Sequence, residues 1–324
     1  MKSSIKLFLV ERTVWIVAII GYLAFAIAIP EVFLKLTAID FVIRSGASIG
    51  IVALAIAICL ISGSIDNSVP AIAGFAGVFV TLFVSKWFPG TPWIALVILA
   101  LVIGALLGAL NGFLIKKIRI HSFLITLATY IVFIGARKLL YEGAERMPSE
   151  MINRLGGGEI IPGISYSTVI LILLVILSWI FLNRTVTGVH IYAVGGNPRA
   201  SALMGINVDS IRFRVHLLAG ILAGLSGLLY VGYNRATTPE MLDFNLFDAF
   251  AMAIFGGIAL SGGRGRIEDV FAAMFFISTL TLGMSIAGIN VYLRQTVVGC
   301  FILIGIIVNA LREKIRDRIL MQLG

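Results

Sequence analysis

WFPGTPWIALVILALVIGALLGALNGFLI, residues 87–115, runs for 29 residues without an Asp, Glu, Lys or Arg. A helix rises about 1.5 Å per residue, so roughly 20 apolar residues cross a hydrocarbon core of about 30 Å. Lipid offers the backbone no hydrogen-bond partner, which favours a helix that bonds within itself. Nine more charge-free windows flank this one: Thr13–Pro30, Ser45–Ile65, Asn67–Ser85, Ile120–Ala136, Ile160–Asn183, Val215–Asn234, Ala249–Gly263, Val270–Leu293 and Gln295–Leu311. Hydrophobic residues fill 60% of the 324 positions, charged residues only 13%, and the mean hydropathy is +1.06. The pattern predicts an all-α polytopic membrane protein, one transmembrane domain over residues 1–324 with about ten spanning helices. Ala249–Gly263 is short for a span, so it either reaches into Phe247 and beyond or is broken.

The same emptiness bears on energy coupling. Proton- and sodium-driven carriers keep ionisable groups at membrane depth, and these windows hold no Asp, Glu, Lys or Arg. A coupling ion would have to rest on backbone carbonyls or neutral side chains. A phosphate-cradling loop needs Gly-Lys followed by Ser or Thr, and the chain has no Gly-Lys pair. It is therefore not expected to be an enzyme or to hold a cofactor; an ATP-driven process would place ATP and Mg on a partner subunit. Cys59 and Cys300 lie inside windows without paired spacing and read as small core residues. His121, His190 and His216 show no metal-binding spacing.

Cytoplasmic loops of membrane proteins are enriched in Lys and Arg. With ten crossings and an inside N-terminus, 16 of the 25 basic residues fall inside and 9 outside. Both termini are thus expected in the cytoplasm of a bacterial inner-membrane protein. Anionic lipid accounts for the net charge of +9 without nucleic acid. Lys2, Lys6 and Arg12 precede Val14–Ile29, which is longer than a usual signal core and reads as an uncleaved first span.

Two connections stand out. Residues 141–166, YEGAERMPSEMINRLGGGEIIPGISY, form the longest outside loop, irregular in composition and open to a soluble partner. Residues 184–214 lie inside. There Gly195-Gly196 are expected to break the chain, Asn197 to cap a helix and Pro198 to take its first position. Arg199–Met204 then form a short helix, with Ala200, Leu203 and Met204 toward one side and Gly205 ending it.

These residues carry a resemblance. AVGGNPRASALMGINV (193–208) resembles the cytoplasmic motif of permease subunits in bacterial ribose/galactose/xylose-type ABC importers. ISGSIDNS (61–68), GALNGFLIKKIRI (108–120) and FGGIALSGGRGRIED (255–269) match further signatures in order. The chain departs from the usual pattern at Ser64, Asn67, Pro70, His121 and Glu268-Asp269. The resemblance implies an ATPase-coupling segment at Gly195–Gly205 and cytoplasmic ATP-binding subunits. It also implies a periplasmic solute-binding protein, a second permease copy or sister chain, and ATP-driven alternating access for a small neutral solute such as a sugar or polyol. A secondary facilitator or ion-coupled carrier is the alternative, and a membrane scaffold a third.

Ser62-Gly63 and Ser261-Gly262 lie 199 residues apart and suggest an internal repeat, as do Asn111 and Asn309. Asn111, Thr126, Ser226, Asn234, Ser278, Thr281 and Asn309 are the candidate residues of a solute path. Ser and Thr inside helices also bond their own carbonyls. Small residues such as Gly104/Gly108 and Gly220/Gly224 instead suit close helix packing. A cysteine at Ser149 is expected to react with an impermeant reagent from outside the cell and one at Ser201 to be protected; the opposite labelling would reverse the orientation.

Overall fold

The computed structural model describes residues 12–307, apart from 36, 244, 302 and 306. Asn309 and the basic residues from Arg312 onward lie outside the described residues. Seven helices are long and apolar enough to cross a bilayer, and three shorter apolar helices accompany them. In chain order the membrane helices are α1 (Thr13–Ala28), α3 (Ala38–Ile61) and α4 (Val69–Leu82, continued by a π turn at Phe83–Trp87). Next come α5 (Trp93–Ile118), α6 (Ser122–Leu140), α8 (Tyr166–Arg184) and α11 (Val208–Asn234). The set closes with α12 (Asn245–Phe255), α13 (Ile267–Ile286) and α14 (Val291–Gly305). A single turn, α2 (Pro30–Phe33), follows α1.

Burial sorts the helices into two layers. α3, α4, α11 and α13 are mostly buried, whereas α5, α6 and α8 turn Leu and Ile outward. In water such faces would be a liability; against lipid tails they cost nothing, so the hydrophobic effect does not press the helices together. Close backbone contact does. A Cβ on Gly220 would sit 2.2 Å from the Gly104 carbonyl oxygen, and one on Gly224 would sit 2.1 Å from that of Ala100. The small residues expected to pack thus seat the antiparallel pair α5 and α11 with no side chain between them.

The short eighth window is a broken helix. α12 has 11 residues, about 16 Å of rise. It stops at Gly256, and a loop with left-handed glycines at 257, 262, 263 and 265 leads into α13. Two window edges also move: a hairpin of β2 (Glu159–Ile161) and β3 (Ile164–Ser165) precedes α8, and α13 ends before Gly288, where the chain turns.

The connection 141–166 is more ordered than its composition suggests. β1 (Glu145–Arg146) pairs with β4 (Ala236–Thr237), and α7 (Glu150–Gly157) packs on α11. Gly156 and Gly232 permit that approach, since a Cβ on Gly232 would meet the Ile152 carbonyl oxygen at 2.2 Å. Arg137, placed by charge counting in an outside loop, is instead fully buried in α6. Its guanidinium donates to the Met241 carbonyl at 2.8 Å and to the Asp243 carboxylate at 2.5 Å, tying the 235–243 connection down. Breaking a buried pair from one side leaves an uncompensated charge. Asp243→Ala is therefore expected to lower unfolding stability in detergent by about 3–5 kcal/mol, read as a lower thermal midpoint.

Candidate functional site

A helical hairpin projects from the end of the bundle where α8 finishes and α11 begins. Thr185 opens α9 (Val186–Gly196) by accepting from the Gly188 amide at 3.1 Å. The helix passes straight through Gly195-Gly196, so the expected break comes one residue later, at Asn197. There the backbone is extended, and Oδ1 accepts from the Ala200 amide at 3.0 Å. Pro198 begins α10 (Pro198–Leu203), and Gly205 turns the chain at φ +84°. Arg199 and Ala200 are exposed on it, while Leu203 and Met204 are 89% and 83% exposed. Ser201 points inward, its hydroxyl donating to the Asn197 carbonyl at 2.9 Å, so Leu203 is the better position on this loop for a labelling cysteine.

The root of the hairpin is a contact among backbones. A Cβ on Gly195 would lie 1.8 Å from the Ile61 carbonyl oxygen and 2.5 Å from the Gly263 nitrogen. The Gly263 amide donates to that same Ile61 oxygen at 2.8 Å. Gly63 at φ +74° and Gly262 at φ +84° face each other, with a Cβ on Gly262 only 2.7 Å from the Gly63 Cα. The two Ser-Gly turns that read as a repeat therefore meet, and α9 ends on both. Tyr192 of α9 adds a side-chain tie, donating to the Gly265 carbonyl at 2.9 Å. Burial pushes its phenol pKa up, which keeps it a neutral donor. Displacing the hairpin therefore bears directly on the end of α3 and on the loop that enters α13.

Behind this junction lies a buried polar network. Asp66 accepts from the Ser68 amide at 2.9 Å and the Ser68 hydroxyl at 2.6 Å, and pairs with His216 Nδ1 at 2.7 Å. Asn111 donates to the Ser68 hydroxyl at 2.6 Å. Thr126 receives the Asn67 amide at 3.1 Å. Asn111, through its Nδ2, and Thr126 thus hold the entry of α4 against α5 and α6, while Asn111 Oδ1 is buried without a hydrogen-bond partner among the described residues. An ionisable pair does sit deep in the bundle, at Asp66 and His216, because Asp66 falls in the single-residue gap between two charge-free windows. Donor atoms of Cys59, Asp66 and His216 lie within 4.8 Å of one another, and Asp66 already has hydrogen bonds from its serine and histidine neighbours.

A second polar region opens toward the other end of the bundle. A cavity of about 230 Å³ has a mixed wall: Ser45, Gly46 and Ile49 of α3, Asn245, Asp248 and Met252 of α12, Ile277, Ser278, Thr281, Leu282 and Ser285 of α13, and Arg294 of α14. Of the seven path candidates it brings together Ser278 and Thr281. Ser226 is buried against the Ser48 carbonyl at 2.7 Å, and Asn234 bonds the Tyr230 carbonyl of its own helix at 2.8 Å. Asp248 was missed because a charge-free window ends where a charge begins; that window's short length was the signal.

The family described as "Branched-chain amino acid transport system / permease component" matches residues 38–306, a stretch that includes the junction, the hairpin and the cavity. The chain belongs to this family. The permease is 31% identical to the ribose import permease protein of Bacillus subtilis over 82% of its own length and 83% of the relative's. It is 27% identical to the fructose import permease protein of Rhizobium meliloti, over 93% and 85% of the two chains. It is also 27% identical to the galactose/methyl galactoside import permease protein of Escherichia coli, over 96% and 97%. No solved structure matches.

The departures from the usual signature have local roles in this permease. Pro70 lies in the first turn of α4, Asn67 donates to the Phe123 carbonyl at 3.3 Å, and His121 caps α6. Asp269 accepts from the Trp15 indole at 2.9 Å and joins α13 to α1. The adjacent glycines 195 and 196 separate packing from open space. Gly195→Ala is expected to lower the thermal midpoint by the equivalent of about 1–3 kcal/mol, since a methyl there meets backbone. Gly196→Ala, whose Cβ meets nothing within 4 Å, is expected to melt like the parent.

Proposed function

We propose that this permease is the membrane subunit of an ATP-driven importer that moves a monosaccharide or similar small neutral polyol into the cell. In this reading both termini face the cytoplasm of a bacterial inner membrane. The α9–α10 hairpin docks into an ATP-binding subunit, which carries the ATP and Mg. A second permease copy or sister chain completes the pathway, and a substrate-loaded periplasmic binding protein docks at the opposite end. That end offers a groove of about 440 Å³ lined by Thr91, Glu145, Arg146 and Ser149 among others.

One observation carries the proposal: the hairpin tip is apolar and exposed while its root touches helices that line the polar cavity. α3 contributes Ser45 to the cavity and ends at Ile61 on the junction. α13 contributes Ser278 and begins just after Gly263. A push on Leu203 and Met204 passes through Gly195 to Ile61 and Gly263, and so to both walls. Large interior shifts of this kind arise because packed elements switch between discrete arrangements. The relatives named for ribose, fructose and galactose support a sugar, and hydroxyl and amide groups in the cavity suit a polyhydroxylated solute.

Leu203→Asp tests the docking role cleanly, because the residue is exposed and the fold does not rest on it. An unpaired charge buried at a contact costs about 3–5 kcal/mol. The variant is expected to reach the membrane in normal amount, to lose the ATPase on purification and to support no uptake in vesicles. Normal ATPase retention with normal uptake would remove the hairpin from the mechanism.

A further inference from the structure

A cleft outside the solute path separates α8 from α11 near the hairpin end. α8 packs on α3, α9 and α13, and between it and α11 a space of about 470 Å³ remains. Its walls are hydrocarbon: Leu174, Leu177 and Phe181 from α8, Leu218 and Ile221 from α11. Leu177 is half exposed at the rim, beside the outward-facing Leu173 and Ile180. Polar atoms are few: Thr187 and Arg214 at one end, and the Ser178 hydroxyl on the wall. A sugar would lose its water there and find almost no hydrogen bonds in return. A hydrocarbon chain loses nothing.

Length and charge narrow the occupant. From Arg214 to Leu222 the cleft follows α11 for nine residues, a rise of about 12 Å, close to the roughly 15 Å depth of one leaflet. Arg214 is exposed at the polar end and forms no ion pair among the described residues. The acid in the first turn of α11, Asp209, is five residues away. Arg184 closes α8 at the same end, its guanidinium 5.6 Å from the Trp179 ring, a cation-and-aromatic pair of the sort found at membrane interfaces. An apolar slot as deep as a leaflet, capped by an unpaired cation, matches a lipid tail below its phosphate.

We propose that the α8–α11 cleft binds one acyl chain of an anionic phospholipid, with the lipid phosphate on Arg214. The site is independent of what the permease transports. The test uses the full chain in nanodiscs of phosphatidylcholine and phosphatidylglycerol, extracted into detergent and weighed by native mass spectrometry. The parent is expected to retain one phosphatidylglycerol per chain. Arg214→Gln should lower that retention about fivefold, the effect of one cation at an anionic surface, and leave phosphatidylcholine unchanged. Leu177→Trp, which plugs the rim from a half-exposed position, should lower the retention of both lipids. Arg199→Gln, a basic residue exposed on α10, should lower neither. Equal phosphatidylglycerol retention by the parent and Arg214→Gln overturns the proposal. So does efficient disulfide cross-linking of two Leu177→Cys chains, which would make the cleft an interface between copies.

Discussion

Inside a bilayer, a backbone group freed from its helix has no water to turn to, so a broken helix is tolerated only where another protein group takes its place. The Ile61 carbonyl and the Gly263 amide meet that requirement for each other at 2.8 Å. α3 stops there, α12 has already stopped at Phe255, and the two breaks close on one hydrogen bond with Gly195 laid against it. A Cβ at Gly195 would occupy the space of the shared oxygen, so the absence of a side chain is the condition for the junction.

Polar side chains in the bundle divide by what they bond. Asp66, Ser68, Asn111, Thr126 and His216 gather around the entry of α4, with Asn111 Oδ1 and His216 Nε2 buried and without a hydrogen-bond partner among the described residues. Ser278, Thr281 and Asp248 instead border open space. The same residue types serve structure near the hairpin and line a cavity toward the other end.

Three elements join the hairpin root to the cavity: α3, α13, and α12 with the loop that follows it. α3 and α13 lie against each other: a Cβ on Gly46 would strike the Ser278 hydroxyl, and one on Gly50 would come within 2.9 Å of Met274. Helices in such contact move together or repack; they do not flex independently. Two buried pairs lie at opposite ends of the bundle, hydrogen-bonded His216–Asp66 behind the junction and the ion pair Arg137–Asp243 under the opposite connection. Each binds an irregular segment to a helix that crosses the membrane.

The all-helical, polytopic character and the cap-helix-turn at Asn197–Gly205 were legible in the sequence, because hydropathy, charge gaps and capping chemistry are local properties. Gly104 and Gly220 could also be named as packing residues from composition alone. Tertiary structure decided whatever depends on residues far apart in the chain. Gly195 continues a helix because Ile61 and Gly263 fit against it, although glycine by itself suggests a break. Asn111 and Thr126 look like path residues in sequence, and the fold also sets Asn111 on Ser68 and Thr126 on Asn67. Asp248 looks like the edge of a span, yet it lines the polar cavity because α12 starts at Asn245 and carries it inward. A one-dimensional pattern reports what each segment can tolerate around it, and the neighbours that settle its role come from other helices.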